Sequence, residues 1–415
     1  MSKPANILLV NHASKMSGAE RGLFQLAARL DKDRFAPTVV LPETGELSEA
    51  LDKLGVEVEL APLKRLKKTI CPCCLVAYLL SMLRVRRRLA RLIKDKSVRL
   101  IHANSNTAQV YTGPAARRAG IPCIWHSRDL VRLGPLGRWM AARSTRIIAT
   151  SRAVEKHLES CRPAEGNVAM IHNAVDLDTF SPADRRQAVR EKLGVDDNTF
   201  LVATIGQLVP WKRHADFIKA GALIAKKLPN ARFLVVGADL FNDNPGYIRR
   251  LEDLAIAKGV AERITFTGHR TDMPALLEAI DLVIHPASRE PFGRAVAEAM
   301  AMARPVVAVN ACGPAELIED GVTGMLVPPG SPKKLAEAAV ALAQDPKRAQ
   351  SIGAAARRHI RERFSMPRLI EQVQTLYGEV LNPVREDARP PADSTDPASL
   401  PTEGERPREP VDGEP

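Results

Sequence analysis

The sequence contains no apolar run as long as the roughly 18 residues that a membrane-spanning helix needs. Its N-terminus, MSKPANILLVNH, has too short an apolar run for a secretory signal and no small-residue cleavage site after it. Cysteine is scarce, with 6 in 415 residues, and its uneven spacing is typical of reduced thiols rather than of a disulfide framework. We therefore expect a cytoplasmic protein.

The one cysteine cluster, CPCC at residues 71–74, leaves two interpretations open. Its thiols could bind a soft metal, but no second group of cysteine or histidine at ligand spacing completes a site. The alternative is that Cys71, Cys73 and Cys74 lie in a buried helix without any metal. We favour the alternative and expect no metal site.

Short runs rich in Val and Ile recur along the chain and alternate with helical patterns, which predicts parallel strands joined by crossover helices. Seven runs, from NILLVNH to VAMIHN, lie within residues 1–185, and six, from FLVATIG to TGMLVP, lie within residues 186–365. A polar, turn-rich segment separates the two sets. We predict an α/β protein with two Rossmann-like, doubly wound domains facing across a cleft, with ligand groups at the carboxyl ends of the strands.

Two segments follow the predicted domains. Residues 366–382 have a helical pattern, and we expect this helix to cross back to the N-terminal domain. Residues 383–415 are dense in proline and charge and have almost nothing apolar to bury, which predicts a disordered tail.

The chain carries 60 basic and 48 acidic residues, a net charge of +12, which indicates an acidic partner such as phosphate, nucleic acid or an anionic membrane. The excess is densest in residues 61–99, whose only acid is Asp95. An apolar centre flanked by basic residues suits a helix lying on a membrane surface, whereas the alternative is an ordinary helix with a solvated basic face. The basic residues of this segment are Lys64, Arg65, Lys67, Lys68, Arg84, Arg86, Arg87, Arg88, Arg91, Lys94, Lys96 and Arg99.

The stretch SREPFGRAVAEAM, residues 288–300, sets a tight turn between a buried strand and a helix. Free backbone N–H groups near Phe292, Gly293 and Arg294 would point out of the helix N-terminus, where anions bind. Glu290 precedes the turn and Glu298 lies in the helix, so one carboxylate can accept hydrogen bonds from a sugar and the other from a ribose. This layout suits a nucleotide-sugar, and the alternative is a helix cap with a solvent-facing glutamate.

This stretch resembles the donor site of the retaining glycosyltransferases of family four, which have the two-domain GT-B fold. Two glutamates with seven residues between them, the first followed by a Phe-Gly turn, are among the most specific marks of that family. The continuation CGPAELIEDGVTGMLVPPGSP is also similar to the family, and the resemblance covers roughly residues 5–382.

Other segments of the chain resemble motifs of the family, and they follow one another in the order that the family has. In KMSGAERGL the resemblance places Gly18 against the donor phosphate, and in IWHSRD it places His126 against the transferred sugar. In IGQLVPWKRH it places Lys212 on the diphosphate, and Gln207 stands where many members have arginine. Arg213 or Arg294 would then compensate for the missing charge. His269 and Arg270 stand at the positions whose loops contact the nucleotide base in members of the family.

The resemblance implies transfer of a sugar, with retention of anomeric configuration, from a UDP- or GDP-sugar to a glycan or lipid-linked acceptor. It implies that Glu290 holds the 3- and 4-hydroxyls of the sugar, His126 its 6-hydroxyl and Glu298 the ribose. No Asp-x-Asp motif lies at a predicted strand end, so we expect neither a metal nor another cofactor. We further expect a role in cell-surface polysaccharide or lipopolysaccharide biosynthesis, no nucleic-acid partner, and peripheral contact with the inner face of the cell membrane through residues 61–99.

Two other functions remain open on the same fold. The first is a non-catalytic protein that binds a polyanion or a membrane surface through residues 61–99. The second is a nucleotide-sugar 2-epimerase, which lacks the paired glutamates in this form. A transferase should lose turnover on substitution of Glu290 or Lys212, whereas a binding protein should tolerate both changes.

Overall fold

The computed structural model describes residues 3–65 and 72–382. The strands are β1 Ala5–Val10, β2 Phe35–Leu41, β3 Glu57–Leu60, β4 Leu100–Ala103, β5 Cys123–Ser127, β6 Arg146–Ala149, β7 Val168–Met170, β8 Phe200–Ile205, β9 Ala231–Val236, β10 Ile264–Gly268, β11 Leu282–His285, β12 Val306–Val309 and β13 Met325–Val327. The α-helices are α1 Gly18–Arg29, α2 Glu46–Asp52, α3 Pro72–Asp95, α4 Asn106–Ala119, α5 Pro135–Ala141, α6 Arg152–Leu158, α7 Arg186–Lys192, α8 His214–Lys227, α9 Tyr247–Ala257, α10 Met273–Ala279, α11 Arg294–Ala301, α12 Cys312–Leu317, α13 Pro332–Gln344, α14 Pro346–Arg363 and α15 Met366–Leu381.

The strands form two parallel sheets, one in each half of the chain. The first has the order β3-β2-β1-β4-β5-β6-β7 and the second β10-β9-β8-β11-β12-β13. In both sheets the order reverses beside the first strand of the half, which is the point where doubly wound folds bind their ligands. The predicted α/β architecture with two Rossmann-like domains is therefore confirmed.

Burial explains why the strands are apolar runs rather than alternating patterns. Every residue of β4, β11 and β12 is buried, because helices cover both faces of each sheet. Separate hydrophobic clusters fill the two faces of the C-terminal sheet, and further clusters surround the N-terminal sheet. The loops at the carboxyl ends of the strands are left free to carry polar groups.

The last described helix, α15, packs into the core of the N-terminal domain. Val373 and Tyr377 are fully buried there, in one cluster with Leu9 and Leu23. Just before this helix, the chain runs beside the segment that leaves the N-terminal domain, where the Val175 N–H donates to the Phe364 carbonyl at 2.9 Å.

Some sequence-based predictions lie outside the described residues. These are the disordered tail at 383–415, Lys67, Lys68 and Cys71, and the side chains of Cys73 and Cys74. In residues 3–65 and 72–382, no group of three His, Cys, Asp or Glu side chains is arranged to hold a metal ion. No helix of the part described is long and apolar enough to cross a membrane.

Candidate active site

Loops from both domains enclose two adjoining cavities at the carboxyl ends of the strands. The larger has a volume of about 380 Å³, and ten of the predicted donor-site residues line it: Gly18, Gln207, Lys212, His269, Arg270, Glu290, Phe292, Gly293, Arg294 and Glu298. The smaller, of about 280 Å³, is lined by His126 together with Gly18, Arg294 and Glu298. Residues that the sequence places far apart therefore meet in one cleft.

Arg213 is the predicted residue that does not line either cavity. It adopts a left-handed backbone conformation with φ of 59°, and its guanidinium contacts Asp216 at 2.6 Å. Arg213 therefore forms an ion pair with the first turn of α8. Of the two residues expected to compensate for Gln207, only Arg294 faces the cleft.

The Pro-Phe-Gly turn has a conformation that its sequence requires. Gly293 has φ of 97°, a left-handed value that costs a side chain free energy, and it directly precedes α11. Gly313 packs against the turn so closely that a Cβ there would lie 2.3 Å from the Phe292 carbonyl oxygen, and its N–H donates to the Glu290 carbonyl at 2.9 Å. The turn is held from behind, and Gly293, Arg294 and Ala295 at the start of α11 line the larger cavity.

An ion pair between a half-buried lysine and a buried glutamate lines the larger cavity. Lys212, after β8, donates to Glu290 Oε2, after β11, and His285 Nε2 lies 3.4 Å from the same oxygen. Burial alone would raise the pKa of Glu290, but the charge of Lys212 and the nearby imidazole of His285 outweigh it and hold that pKa at about 2. Burial also lowers the pKa of His285, so its imidazole is neutral at neutral pH beside the Lys212–Glu290 ion pair.

Arg294 connects the two domains across the cleft. Its Nη1 donates to the Gly18 carbonyl oxygen at the start of α1, and its Nη2 lies 3.1 Å from Glu298 Oε1. The glycine loop of the N-terminal domain and the helix of the C-terminal domain are therefore joined through one cation. Arg294, Lys212 and the start of α11 together give the cleft three groups that attract anions.

His126 belongs to a buried polar cluster whose other members the sequence did not single out. Its Nδ1 is 3.1 Å from Arg128 Nη2 and 3.1 Å from His102 Nε2, and His102 Nδ1 is 2.8 Å from the Tyr377 hydroxyl. Arg128 also donates to Asn104 Oδ1 at 2.8 Å. The available signals were that Arg128 stands in the IWHSRD match and that His102 lies within the strand-like run VRLIHANS.

The cleft can therefore bind two kinds of group. Its cations and helix N-terminus suit a diphosphate, and its carboxylates suit vicinal hydroxyls, which donate to them. Glu298 and Glu290 are both buried, so hydrogen bonds made there are shielded from water.

Comparison with known proteins agrees with this chemistry. Residues 16–179 match Glycosyltransferase Family 4, and residues 185–359 match Glycosyl transferases group 1. Alpha-D-kanosaminyltransferase of Streptomyces kanamyceticus is 29% identical over 329 residues, 73% of this chain and 82% of that protein. UDP-Gal:alpha-D-GlcNAc-diphosphoundecaprenol alpha-1,3-galactosyltransferase of Escherichia coli is 25% identical over 382 residues, 87% of this chain and 94% of that protein.

Solved structures show the same architecture. HepE of Anabaena, crystallised in complex with UDP and glucose, has a TM-score of 0.78 at 26% identity and covers 90% of this chain and 99% of its own. The crystal structure of HepE with UDP-glucose has the same TM-score at 27% identity. The resemblance found in the donor-site motif and the GT-B fold are thereby confirmed. The chain belongs to the glycosyltransferases, with a Glycosyltransferase Family 4 domain followed by a Glycosyl transferases group 1 domain.

Proposed function

We propose that the protein is a retaining hexosyltransferase that moves a sugar from a UDP-sugar to a lipid-linked or glycan acceptor in cell-surface polysaccharide or lipopolysaccharide biosynthesis. The observation that carries the proposal is the Lys212–Glu290 pair beside the N-terminus of α11. UDP and glucose occupy HepE, and the galactosyltransferase of Escherichia coli acts on a diphosphoundecaprenol-linked sugar, which supports a UDP-sugar donor and a lipid-linked acceptor.

Each group would have a separate role in donor binding. Glu290 would accept hydrogen bonds from the 3- and 4-hydroxyls of the sugar, and Glu298 would accept them from the ribose. His269 and Arg270, which also line the larger cavity, would contact the base. Lys212 and His285 both contact Oε2 of Glu290, so a sugar hydroxyl can approach Oε1 without breaking the ion pair.

Departure of the nucleoside diphosphate needs its developing negative charge to be stabilised. Lys212, Arg294 and the N–H groups at the start of α11 would supply that stabilisation from fixed positions. We propose that these groups do this work without a metal or another cofactor. Gln207 adds hydrogen bonding but no charge, so Arg294 would provide the second cation.

The state of Glu290 argues against a covalent intermediate between the enzyme and the sugar. A carboxylate that is paired with Lys212 and whose pKa is held at about 2 is a weak nucleophile, so a covalent bond from Glu290 to the sugar is disfavoured. Front-face transfer without an enzyme-bound sugar preserves the anomeric configuration, which is the stereochemistry we propose.

The acceptor proposal is supported by one face of α3 in the N-terminal domain. Val76, Leu80 and Leu83 are 57%, 49% and 51% exposed, and they recur at helical spacing. Arg84, Arg87 and Arg91 continue the exposed surface toward the end of the helix. Apolar side chains beside arginines suit the surface of an anionic bilayer, which would bring the cleft to a lipid-linked acceptor on the inner face of the membrane.

The experiment is a donor screen with the purified full chain. UDP-glucose, UDP-galactose, UDP-N-acetylglucosamine and GDP-mannose are tested for thermal stabilisation and for release of free nucleotide, with and without lipid-linked acceptors. We expect a UDP-sugar to raise the melting temperature, because it binds only the folded state. Glu290→Gln and Lys212→Ala should lower turnover by about 100-fold or more, as expected for groups that act on the transition state.

The matched control is Glu337→Gln, which breaks an exposed pair with Lys334 on α13 and should keep full turnover. NMR of the product should show the anomeric configuration of the donor. If no nucleotide-sugar stabilises the protein, or if Glu290→Gln retains turnover, the proposal is wrong. A free sugar nucleotide epimerised at C2 would instead identify an epimerase.

A further inference from the structure

The hydrogen-bond directions in the cluster around His126 can be worked out from the chemistry of its members. Arginine can only donate, so His126 Nδ1, 3.1 Å from Arg128 Nη2, must accept. Burial and the charge of Arg128 hold the pKa of His126 well below its usual value, so its imidazole is neutral and carries a single N–H. That proton is therefore on Nε2.

The direction of the next two contacts follows. His102 Nε2, 3.1 Å from the accepting Nδ1 of His126, must be the donor. Burial, and then the charge of Arg128, lower the pKa of His102 to about 3, so His102 is also neutral and its Nδ1 carries no proton. The Tyr377 hydroxyl, 2.8 Å away, therefore donates to His102 Nδ1.

One donor of the cluster is left over. His126 Nε2 is buried and has no hydrogen-bond partner among the described residues, although His126 lines the smaller cavity with Glu298 and Arg294. A buried donor without a partner destabilises a protein, unless a ligand supplies the acceptor. The hydroxyl oxygens of a sugar could accept this hydrogen bond from His126 Nε2.

We propose that Tyr377, acting through His102, and Arg128 are positioning residues that hold His126 as its Nε2–H tautomer, so that it donates to a hydroxyl of the transferred sugar. This inference rests on the proposed function of sugar transfer. Tyr377 and Arg128 act from opposite ends of the cluster, and neither needs to touch the donor for the effect. The last described helix, whose Met366, Leu369 and Val373 line the smaller cavity, would thereby also control how the donor sugar is held.

Packing keeps the rings in place for this role. The Tyr377 ring meets Phe35 edge-on at 5.6 Å and His102 edge-on at 5.9 Å between centroids. Tyr377→Phe therefore removes the hydroxyl while the ring contacts can remain. Tyr111→Phe is a matched control, because the Tyr111 hydroxyl is also buried in the N-terminal domain and donates to the Lys64 carbonyl at 3.1 Å, away from His126.

The first measurement is NMR of the histidine nitrogens in the 15N-labelled full chain, with the His126 signals assigned through a His126→Asn variant. We expect His126 and His102 both to be neutral and protonated at Nε2 at pH 7.5. A protonated Nδ1 on His126 in the wild-type protein overturns the proposal, and the variant serves only to assign the signals.

The second measurement is the Kd for UDP-glucose and for UDP-xylose, which lacks the C6 hydroxymethyl group. Because one hydrogen bond is at stake, Tyr377→Phe should raise the Kd of UDP-glucose by about tenfold and that of UDP-xylose by less than about twofold. Tyr111→Phe should change neither Kd by more than about twofold.

The outcomes separate the two proposals. If Tyr377→Phe behaves like Tyr111→Phe for both ligands, or weakens both equally, Tyr377 is merely structural and the inference is wrong. If the wild-type protein binds no UDP-sugar, the proposed function fails, while the tautomer readings still decide whether the cluster holds His126 as described.

Discussion

Lys212 and Glu290 form an ion pair that joins the loop after β8 to the loop after β11. The cation expected to bind the diphosphate and the carboxylate expected to hold the sugar are thus in direct contact. The two strands are neighbours in the sheet, although the residues are 78 positions apart in the chain. The pair keeps both side chains in the cleft at defined positions, which lowers the conformational cost of binding a donor.

The first prediction concerns acid stability. The folded-state pKa of Glu290 is about 2, below its ordinary value of 4.5, so its ionisation stabilises the fold above pH 4.5 and that contribution is lost as the pH falls toward 2. Between pH 5 and pH 3 the free energy of unfolding of the wild-type protein should fall more steeply than that of Glu290→Gln, by about 2 kcal/mol. Urea unfolding at several pH values measures the difference.

Glu337→Gln is the control for this prediction, because Glu337 is paired with Lys334 on an exposed surface where solvent weakens the interaction. Its acid profile should follow that of the wild-type protein. Identical slopes for Glu290→Gln and the wild-type protein would show that the ion pair does not stabilise the carboxylate.

The second prediction concerns Gly18. A Cβ on this residue would meet only the flexible side chain of Arg294, at 3.4 Å, and Gly18 does not have a positive φ, so Gly18→Ala should leave the melting temperature nearly unchanged. If Gly18 lets the backbone approach the diphosphate, the same methyl group should weaken UDP binding by about tenfold or more. Calorimetric titration with UDP measures this effect.

Gly221→Ala provides the comparison, because its Cβ would lie 3.4 Å from the Phe233 ring, inside the C-terminal domain. Neither glycine residue lies in the left-handed region, and the two substitutions add the same methyl group. Equal UDP affinities of Gly18→Ala and Gly221→Ala would contradict the placement of the phosphate beside Gly18.

The third prediction concerns the exposed face of α3. The wild-type protein should sediment with vesicles containing about 30% anionic lipid, and binding should weaken in high salt and with purely zwitterionic vesicles. The double variant Leu80→Ser/Leu83→Ser should reduce binding by removing apolar area, and Arg84→Glu/Arg87→Glu should reduce it by reversing the charge.

Ile256→Ser on α9 is the matched control, because Ile256 is 67% exposed but lies in the C-terminal domain without a comparable basic face. It should bind vesicles like the wild-type protein. Absence of binding by the wild-type protein would leave α3 as an ordinary helix whose basic residues are solvated.

The strands were predictable because parallel strands covered on both faces must be apolar throughout. The run DLVIHP and strand β11, for example, coincide, and all four residues of β11 are buried. The contacts within the cleft were not predictable in the same way. Local patterns do not state which strands are neighbours in a sheet, so the pairing of Lys212 with Glu290 follows only from the strand order.

Side-chain direction was the other information that the sequence could not supply. Arg213 is adjacent to Lys212, yet its left-handed backbone turns it to Asp216 and away from the cavity. The opposite case is Tyr377, which lies 275 positions from His102 and reaches it only because α15 packs into the N-terminal core. Neither outcome depends on local periodicity.

The position of α15 has a consequence for protein synthesis. Its buried residues, Val373 and Tyr377 among them, complete the core of a domain whose strands are translated first. The ribosome must therefore produce the entire second domain before the first one can close its apolar surface. During that interval the nascent N-terminal domain exposes the apolar patch that α15 later covers, and apolar surface exposed in this way promotes aggregation.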